Sequence, residues 1–179
     1  MKSVFAAIGI FLIFAPFVFA QIQITEIMYN PDGNDDDREW FEAINSGTDT
    51  QVKSGKSGWR IYDGKNHYLQ IQDAENDKSF SALKNKISAF IWKSGQVIVI
   101  AQDKNKFLQD YPNFSKQILE SSFYLKNSDG SIKILDEKKN SLAETAYQSI
   151  SDEGYSIIYD NGKWITGKSK GTPGMYPEF

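Results

Sequence analysis

Residues 22–45, IQITEIMYNPDGNDDDREWFEAIN, decide how this chain reads. They divide into two short strands joined by a turn, and each strand carries a glutamate among apolar neighbours. A side-chain period of two puts Ile22, Ile24, Glu26 and Met28 on one face, and likewise Trp40, Glu42 and Ile44. A carboxylate on a face that packs inward is costly unless it is satisfied. The pattern therefore speaks to architecture before it speaks to chemistry.

Outward from this pair, short β-branched or aromatic runs recur with turn residues between them. Gly58 to Asp63 leads through Asp63-Gly64 to His67–Ile71, a predicted hairpin. Lys93-Ser94-Gly95 turns into Gln96–Ala101, nearly all apolar and so predicted to be buried on both faces. Ser122–Leu125 and Ser131–Leu135 flank the turn Asn127-Ser128-Asp129-Gly130, and Lys138-Lys139-Asn140 turns the chain again into Ser141–Tyr147. Tyr155–Tyr159 and Lys163–Thr166 flank Asp160-Asn161-Gly162, where Asn-Gly favours a type I′ turn. One helix is predicted, from Asp103 as its cap to Tyr111, closed by Pro112. Residues 73–89 read as a long, lysine-rich surface loop with one helical turn around Ser81 to Lys86. About eight or nine strands with turns at this spacing predict an all-β sandwich or barrel, mainly antiparallel.

Composition narrows the class. Residues 1–20 carry Lys2, then an uninterrupted apolar run, then Val18-Phe19-Ala20 before Gln21, the layout of a secretory signal peptide. An uncleaved membrane anchor is the alternative, and cleavage leaves no stable membrane span. Residues 21–179 then form one domain, with 19 basic against 23 acidic side chains once Lys2 is removed. That mild acidity does not favour nucleic acid as a partner. No cysteine is present, so an exported fold must rest on a packed core; of the chain's four Trp, nine Tyr and twelve Phe, only five Phe fall within residues 1–20.

Several motifs line up in order with a known family. Ile24-Thr25-Glu26-Ile27-Met28-Tyr29-Asn30-Pro31, Glu39-Trp40-Phe41-Glu42 and Gly58-Trp59 resemble the opening of the lamin tail domain. Lys93-Ser94-Gly95, Leu125 to Gly130, Gly154-Tyr155-Ser156-Ile157 and the closing Thr172-Pro173-Gly174 continue the resemblance across residues 21–179. The resemblance implies an immunoglobulin-like sandwich and a module of cell-surface or exported proteins, often attached to hydrolases or nucleases. The chain shows no coiled-coil rod and no accompanying catalytic domain, so a nuclear filament role is not implied.

Candidate sites follow from residue type. Asn34-Asp35-Asp36-Asp37 offers hard oxygen ligands for calcium, with Asp35, Asp37 and Glu39 to test, but lacks the EF-hand pattern. No other cofactor is expected. Glu26 and Glu42 could serve as paired acids, but the structural reading prevails: each accepts from backbone N–H groups or a basic side chain such as Arg60. His67, the single histidine, lies at a strand edge as a structural residue; a Ser–His–Asp set can be drawn around it, yet no Gly-x-Ser-x-Gly elbow occurs. No P-loop or dinucleotide fingerprint is present, and catalysis is not expected.

Trp40 and Trp59 are assigned to the core, while Trp92 and Trp164 are better placed for exposure and sugar stacking. Lys84, Lys86 and Lys93 form one loose basic group, and Lys163, Lys168 and Lys170 another, suited to phosphates or an acidic polymer. The leading expectation is a secreted or cell-surface, non-enzymatic binding or adhesion module that engages a surface protein or glycan. The alternative is an extracellular polyanion-binding accessory protein; a hydrolase comes third.

Overall fold

The computed structural model describes residues 21–71 and 89–176. Twelve strands and one helix occur among them. The strands are β1 (Ile22–Met28), β2 (Trp40–Asn45), β3 (Thr50–Lys53), β4 (Arg60–Tyr62), β5 (Asn66–Tyr68), β6 (Ala89–Trp92) and β7 (Val97–Ala101). After the helix α1 (Lys104–Asp110) come β8 (Ile118–Glu120), β9 (Gly130–Leu135), β10 (Ser141–Tyr147), β11 (Tyr155–Asp160) and β12 (Lys163–Ser169). The protein is an all-β, immunoglobulin-like sandwich. A six-stranded sheet in the order β12-β11-β1-β2-β7-β8 faces a four-stranded one, β10-β9-β4-β5, and β3 pairs with β6 separately. Every pairing is antiparallel except β7 with β8.

The strand count exceeds the expected eight or nine because β3, β6 and β8 span only three or four residues. Elements that short carry too few side chains to show a period. Asn161 and Gly162 both take positive φ (46° and 87°), as a type I′ turn requires. Strand β7 is buried along its whole length, as its apolar run predicts. In α1, Asp103 caps the first turn by accepting from the N–H groups of Asn105 and Lys106 at 2.8 and 2.9 Å.

The main core lies between the sheets. Ile24, Ile27, Phe41, Ile98 and Ile100 come from one side, and Ile61, Ile132, Ile134 and Tyr147 from the other. A second cluster covers the outer face of the six-stranded sheet, where Met28, Trp40, Val99 and Ala101 meet Phe107 of α1. Trp40 packs edge-on against Phe107 and Tyr111, with ring centroids 5.8 and 5.7 Å away. The helix thus serves as a lid on that face.

One reading of the opening strands is overturned. Ile24 pairs with Ala43 and Glu26 with Glu42, so two residues of β1 oppose one of β2 and Thr25 is the extra one. Such a bulge inverts the alternation. Ile22 and Ile24 point into the main core, as do Ile27 and Tyr29 beyond the bulge. Glu26 and Met28 therefore share the outer face with Trp40 and Glu42, not the face of Ile22 and Ile24. The glutamates lie under the helix and the C-terminal segment rather than between the sheets.

Candidate functional site

Glu26 and Glu42 are cross-strand partners, and both are completely buried. Each is consumed by hydrogen bonds. Glu26 Oε1 accepts from Ser156 Oγ at 2.6 Å and from the Thr172 N–H at 2.7 Å. Glu42 accepts from Thr25 Oγ1 at 2.6 Å and from the Gly174 N–H at 2.5 Å. The two carboxyl groups thereby hold a strap, residues 170–174, against the sheet. Lys116 Nζ donates to the Gly174 carbonyl, and the Tyr111 hydroxyl donates to that of Lys170.

The strap fits with little room to spare. Gly171 takes φ of +70°, and a Cβ there would sit 2.8 Å from Trp40 Cζ2 and 3.0 Å from Glu26 Oε1. Burial pushes the Glu26 carboxyl up to about 7, against the hydrogen bonds from Ser156 and Thr172. Burial also raises Glu42, opposed by its bonds to Thr25 and Gly174 and by the charge of Lys116. The sequence expectation that these acids are satisfied by backbone donors holds, but Arg60 takes no part. Its guanidinium donates to the carbonyls of Gly58 and Lys56 and lies 4.8 Å over the Tyr68 ring.

Two further acids, Glu39 and Asp63, repeat the device along residues 122–125. Residues 122–125 alternate as a strand should, with Phe123 and Leu125 buried and Ser122 and Tyr124 exposed. They nevertheless form no ladder, which corrects the expected strand. The Leu125 N–H donates to Glu39 Oε2 at 2.6 Å, and the Tyr124 N–H donates to Asp63 Oδ2 at 2.7 Å. Side-chain carboxylates here stand where a neighbouring strand's carbonyls would otherwise be. Burial raises Glu39 to about 8, with Asp35, Asp63 and Asp37 adding repulsion, while the Leu125 bond acts against it. Asp63 behaves oppositely: burial is outweighed by the Tyr124 and Lys65 N–H bonds and by His67, so its carboxyl lies below the ordinary range. His67 projects from β5 with Nε2 3.0 Å from Asp63 Oδ1 and Nδ1 3.4 Å from Ser122 Oγ.

The calcium candidates do not converge. Asp37 accepts from Lys106 Nζ at 3.0 Å, Asp35 from Asn127 Nδ2 at 3.2 Å, and Glu39 turns inward to Leu125. Among the described residues no three His, Cys, Asp or Glu side chains gather as a metal site would need. Paired with a lysine and an amide, these aspartates instead tie loops together. Asn127 Nδ2 also reaches Asn30 Oδ1 at 3.2 Å, the Gly154 N–H donates to the Asn30 carbonyl at 2.8 Å, and the Gly33 N–H donates to Glu153 Oε1 at 2.9 Å. The family-like residues Asn30 and Gly154 thus join three loops, 29–38, 126–130 and 148–154, into one end of the sandwich. Pro31 is buried beneath it.

The tryptophans divide differently from expectation. Trp40 and Trp59 are core residues, but Trp92 is equally buried, only 1% exposed. Its indole N–H donates to the Gln96 carbonyl across the Lys93–Gly95 turn at 2.8 Å, which draws the ring inward. Gly95 takes φ of +74° in that turn. Trp164 is half-buried, packed edge-on to Tyr159 at 5.2 Å and donating to Thr145 Oγ1 at 3.1 Å. The buried Trp92 offers no sugar-stacking face.

Lys93 is paired with Asp49 at 2.9 Å, whereas Lys84 and Lys86, with all of residues 72–88, lie outside the described residues. Lys163 and Lys168 are exposed along β12, an edge of the six-stranded sheet, and Lys170 follows, also exposed. The signal-like residues 1–20 also lie outside the described residues; among those described, no helix is long and apolar enough to cross a membrane.

Sequence reasoning missed Asp63 and Ser122 as partners. Asp63 reads there as a turn residue and Ser122 as the start of a strand; the hairpin brings Asp63 to His67, and the Gln70–Glu120 bridge sets the Ser122 stretch alongside it. No family model, no curated protein and no solved structure matches the chain.

Proposed function

We propose that the protein is a secreted or cell-surface binding module of the lamin-tail type, acting by contact with a surface partner. The observation that carries this reading is the loop-built end, where side-chain and backbone bonds hold three loops of the sandwich in one arrangement. Loops positioned by a rigid frame are the usual place for recognition. Exposed Asp32, Asp36, Asp129, Asp152 and Glu153 make this end acidic. It therefore suits a basic protein surface or a hydroxyl-rich glycan. Residues 1–20 act as the export signal. The buried acids support the same reading, since Glu26, Glu39 and Glu42 are engaged in holding chain segments.

The test is capture of envelope proteins, glycans and DNA by residues 21–179, beside a variant carrying Asp36→Asn, Asp152→Asn and Glu153→Gln. A protein or glycan retained by the native loops and lost by the variant is the expected result. A ligand retained equally by both overturns the loop assignment. A second reading rests on the exposed lysines of β12 and its C-terminal flank. If that edge binds a polyanion, DNA is retained and released steeply as salt rises. Replacing Lys163, Lys168 and Lys170 by Gln then abolishes retention.

A further inference from the structure

We propose that Asp63, His67 and Ser122 form a proton relay that makes Ser122 a nucleophile toward acyl esters. This activity is separate from recognition by the loop-built end. The three residues come from two segments, the β4–β5 hairpin and the extended stretch after β8. Register across the hairpin pairs Ile61 with His67 and leaves Asp63 at the turn, so the imidazole leans back over the carboxylate. Asp63 Oδ1 lies 3.0 Å from His67 Nε2, and the Ser122 hydroxyl lies 3.4 Å from Nδ1.

The roles follow from protonation. N–H bonds from Lys65 and Tyr124 keep Asp63 ionised, so it presents only acceptor atoms to the ring. A neutral His67 must then carry its proton on Nε2 and present a lone pair at Nδ1. The one group facing that lone pair at hydrogen-bond range is the Ser122 hydroxyl. Nucleophile, base and orienting acid are thereby in sequence, an arrangement identified by geometry and role rather than by a sequence elbow. A separation of 3.4 Å is within the looser range found before substrate binds.

Ser122 is exposed, whereas the side chains of His67 and Asp63 are only 17% and 8% exposed. The reacting oxygen therefore meets solvent while the relay behind it is sheltered. Beside the relay, a cleft of about 320 Å³ lies among Asp63, Tyr124, Lys126 and Tyr147. The Tyr124 ring, 60% exposed, offers an apolar surface to an acyl or aryl group.

In the reaction Ser122 Oγ bonds to the ester's carbonyl carbon as its proton passes to His67 Nδ1. The ester C–O bond then breaks, and the departing oxygen takes the proton from His67. An acyl group remains on Ser122, an alcohol or phenol leaves, and no oxidant or reductant is needed.

The probe is p-nitrophenyl acetate, with sites of acetylation followed by peptide mass mapping. Ser94 and Ser149, both exposed, are internal references. Ser122 should be acetylated on the order of a hundredfold faster than either reference, the lower end of general-base assistance. His67→Gln should remove that excess without slowing the references. Equal rates at all three serines, or an excess that survives His67→Gln, overturn the proposal. Asp63 acts as a positioning residue and has its own readout. His67 is the chain's single histidine, so ring ¹⁵N shifts report its tautomer without overlap. They should place the proton on Nε2, and Asp63→Asn should shift it; a proton on Nδ1 in the native protein contradicts the relay.

Discussion

Glu26 and Glu42 lie fully buried on the outer face of the six-stranded sheet, whereas Asp36 and Asp37 stand exposed on the loop between the same two strands. Both sets are acids within one stretch of chain, yet they do opposite things. The glutamates accept from two strap N–H groups and from the hydroxyls of Thr25, Ser156 and Thr172, and so replace ladder partners that an irregular segment lacks. The aspartates stay near solvent, where Asp37 pairs with Lys106 and Asp36 faces water. What separates them is whether backbone N–H groups without a strand partner lie within reach. A buried carboxyl is tolerated where it satisfies such groups and is costly where it does not.

The contrast breaks first at the clamp. Glu42→Ala leaves the Gly174 N–H and the Thr25 hydroxyl without acceptors, and urea unfolding should show a loss of about 3 kcal/mol. Glu42→Gln, which keeps one acceptor oxygen, should lose less; equal losses would mean that volume matters and hydrogen bonding does not.

Alkali should have a comparable effect on the whole molecule. Folding raises Glu26 from its ordinary 4.5 to about 7 and Glu39 to about 8, so the folded state holds these protons more tightly. Their contribution is fully present below pH 4.5 and is lost as pH climbs through 7 and 8. A tenfold difference in proton affinity between folded and unfolded chains corresponds to about 1.4 kcal/mol, so a loss of a few kcal/mol between pH 5 and pH 9 is the expected order. Asp63 has the opposite sign, lowered from 3.8, and its contribution is lost only as pH falls below that value. Urea midpoints measured across this range should fall toward alkaline pH, and the fall should shrink in Glu26→Gln.

Gly171→Ala sharpens the same comparison through backbone and space. A residue with a side chain resists φ of +70°, and the added methyl meets Trp40 and Glu26. A loss of roughly 1–2 kcal/mol is expected in thermal unfolding. Asp36→Asn, on the exposed loop, should change stability by no more than about 0.5 kcal/mol. A large effect there would erase the distinction between clamp and loop.

The sandwich was legible because it rests on short-range signals: alternation, a run apolar on both faces in β7, and the Asn161-Gly162 turn. The satisfied state of Glu26 and Glu42 was legible too, since a charge amid apolar neighbours implies partners. Their face was not, because one extra residue at Thr25 inverts the alternation without any mark in composition. Trp92 was expected at the surface because it adjoins a turn, but its indole N–H bonds to the carbonyl just past that turn and brings the ring inward. Asp63 and His67 are only four residues apart, but the Ser122 stretch reaches them through contacts 55 and 61 residues apart, which no local pattern encodes.

Backbone hydrogen exchange tests most directly whether buried carboxyls take the place of ladder partners. The amides of Thr172, Gly174 and Leu125 lie outside every strand, yet each donates to a glutamate. They should exchange slowly in the native protein, with Gly174 released selectively in Glu42→Ala and Leu125 in Glu39→Ala. Exchange at the rate of an open loop in the native protein, or protection unchanged by these substitutions, would contradict the account.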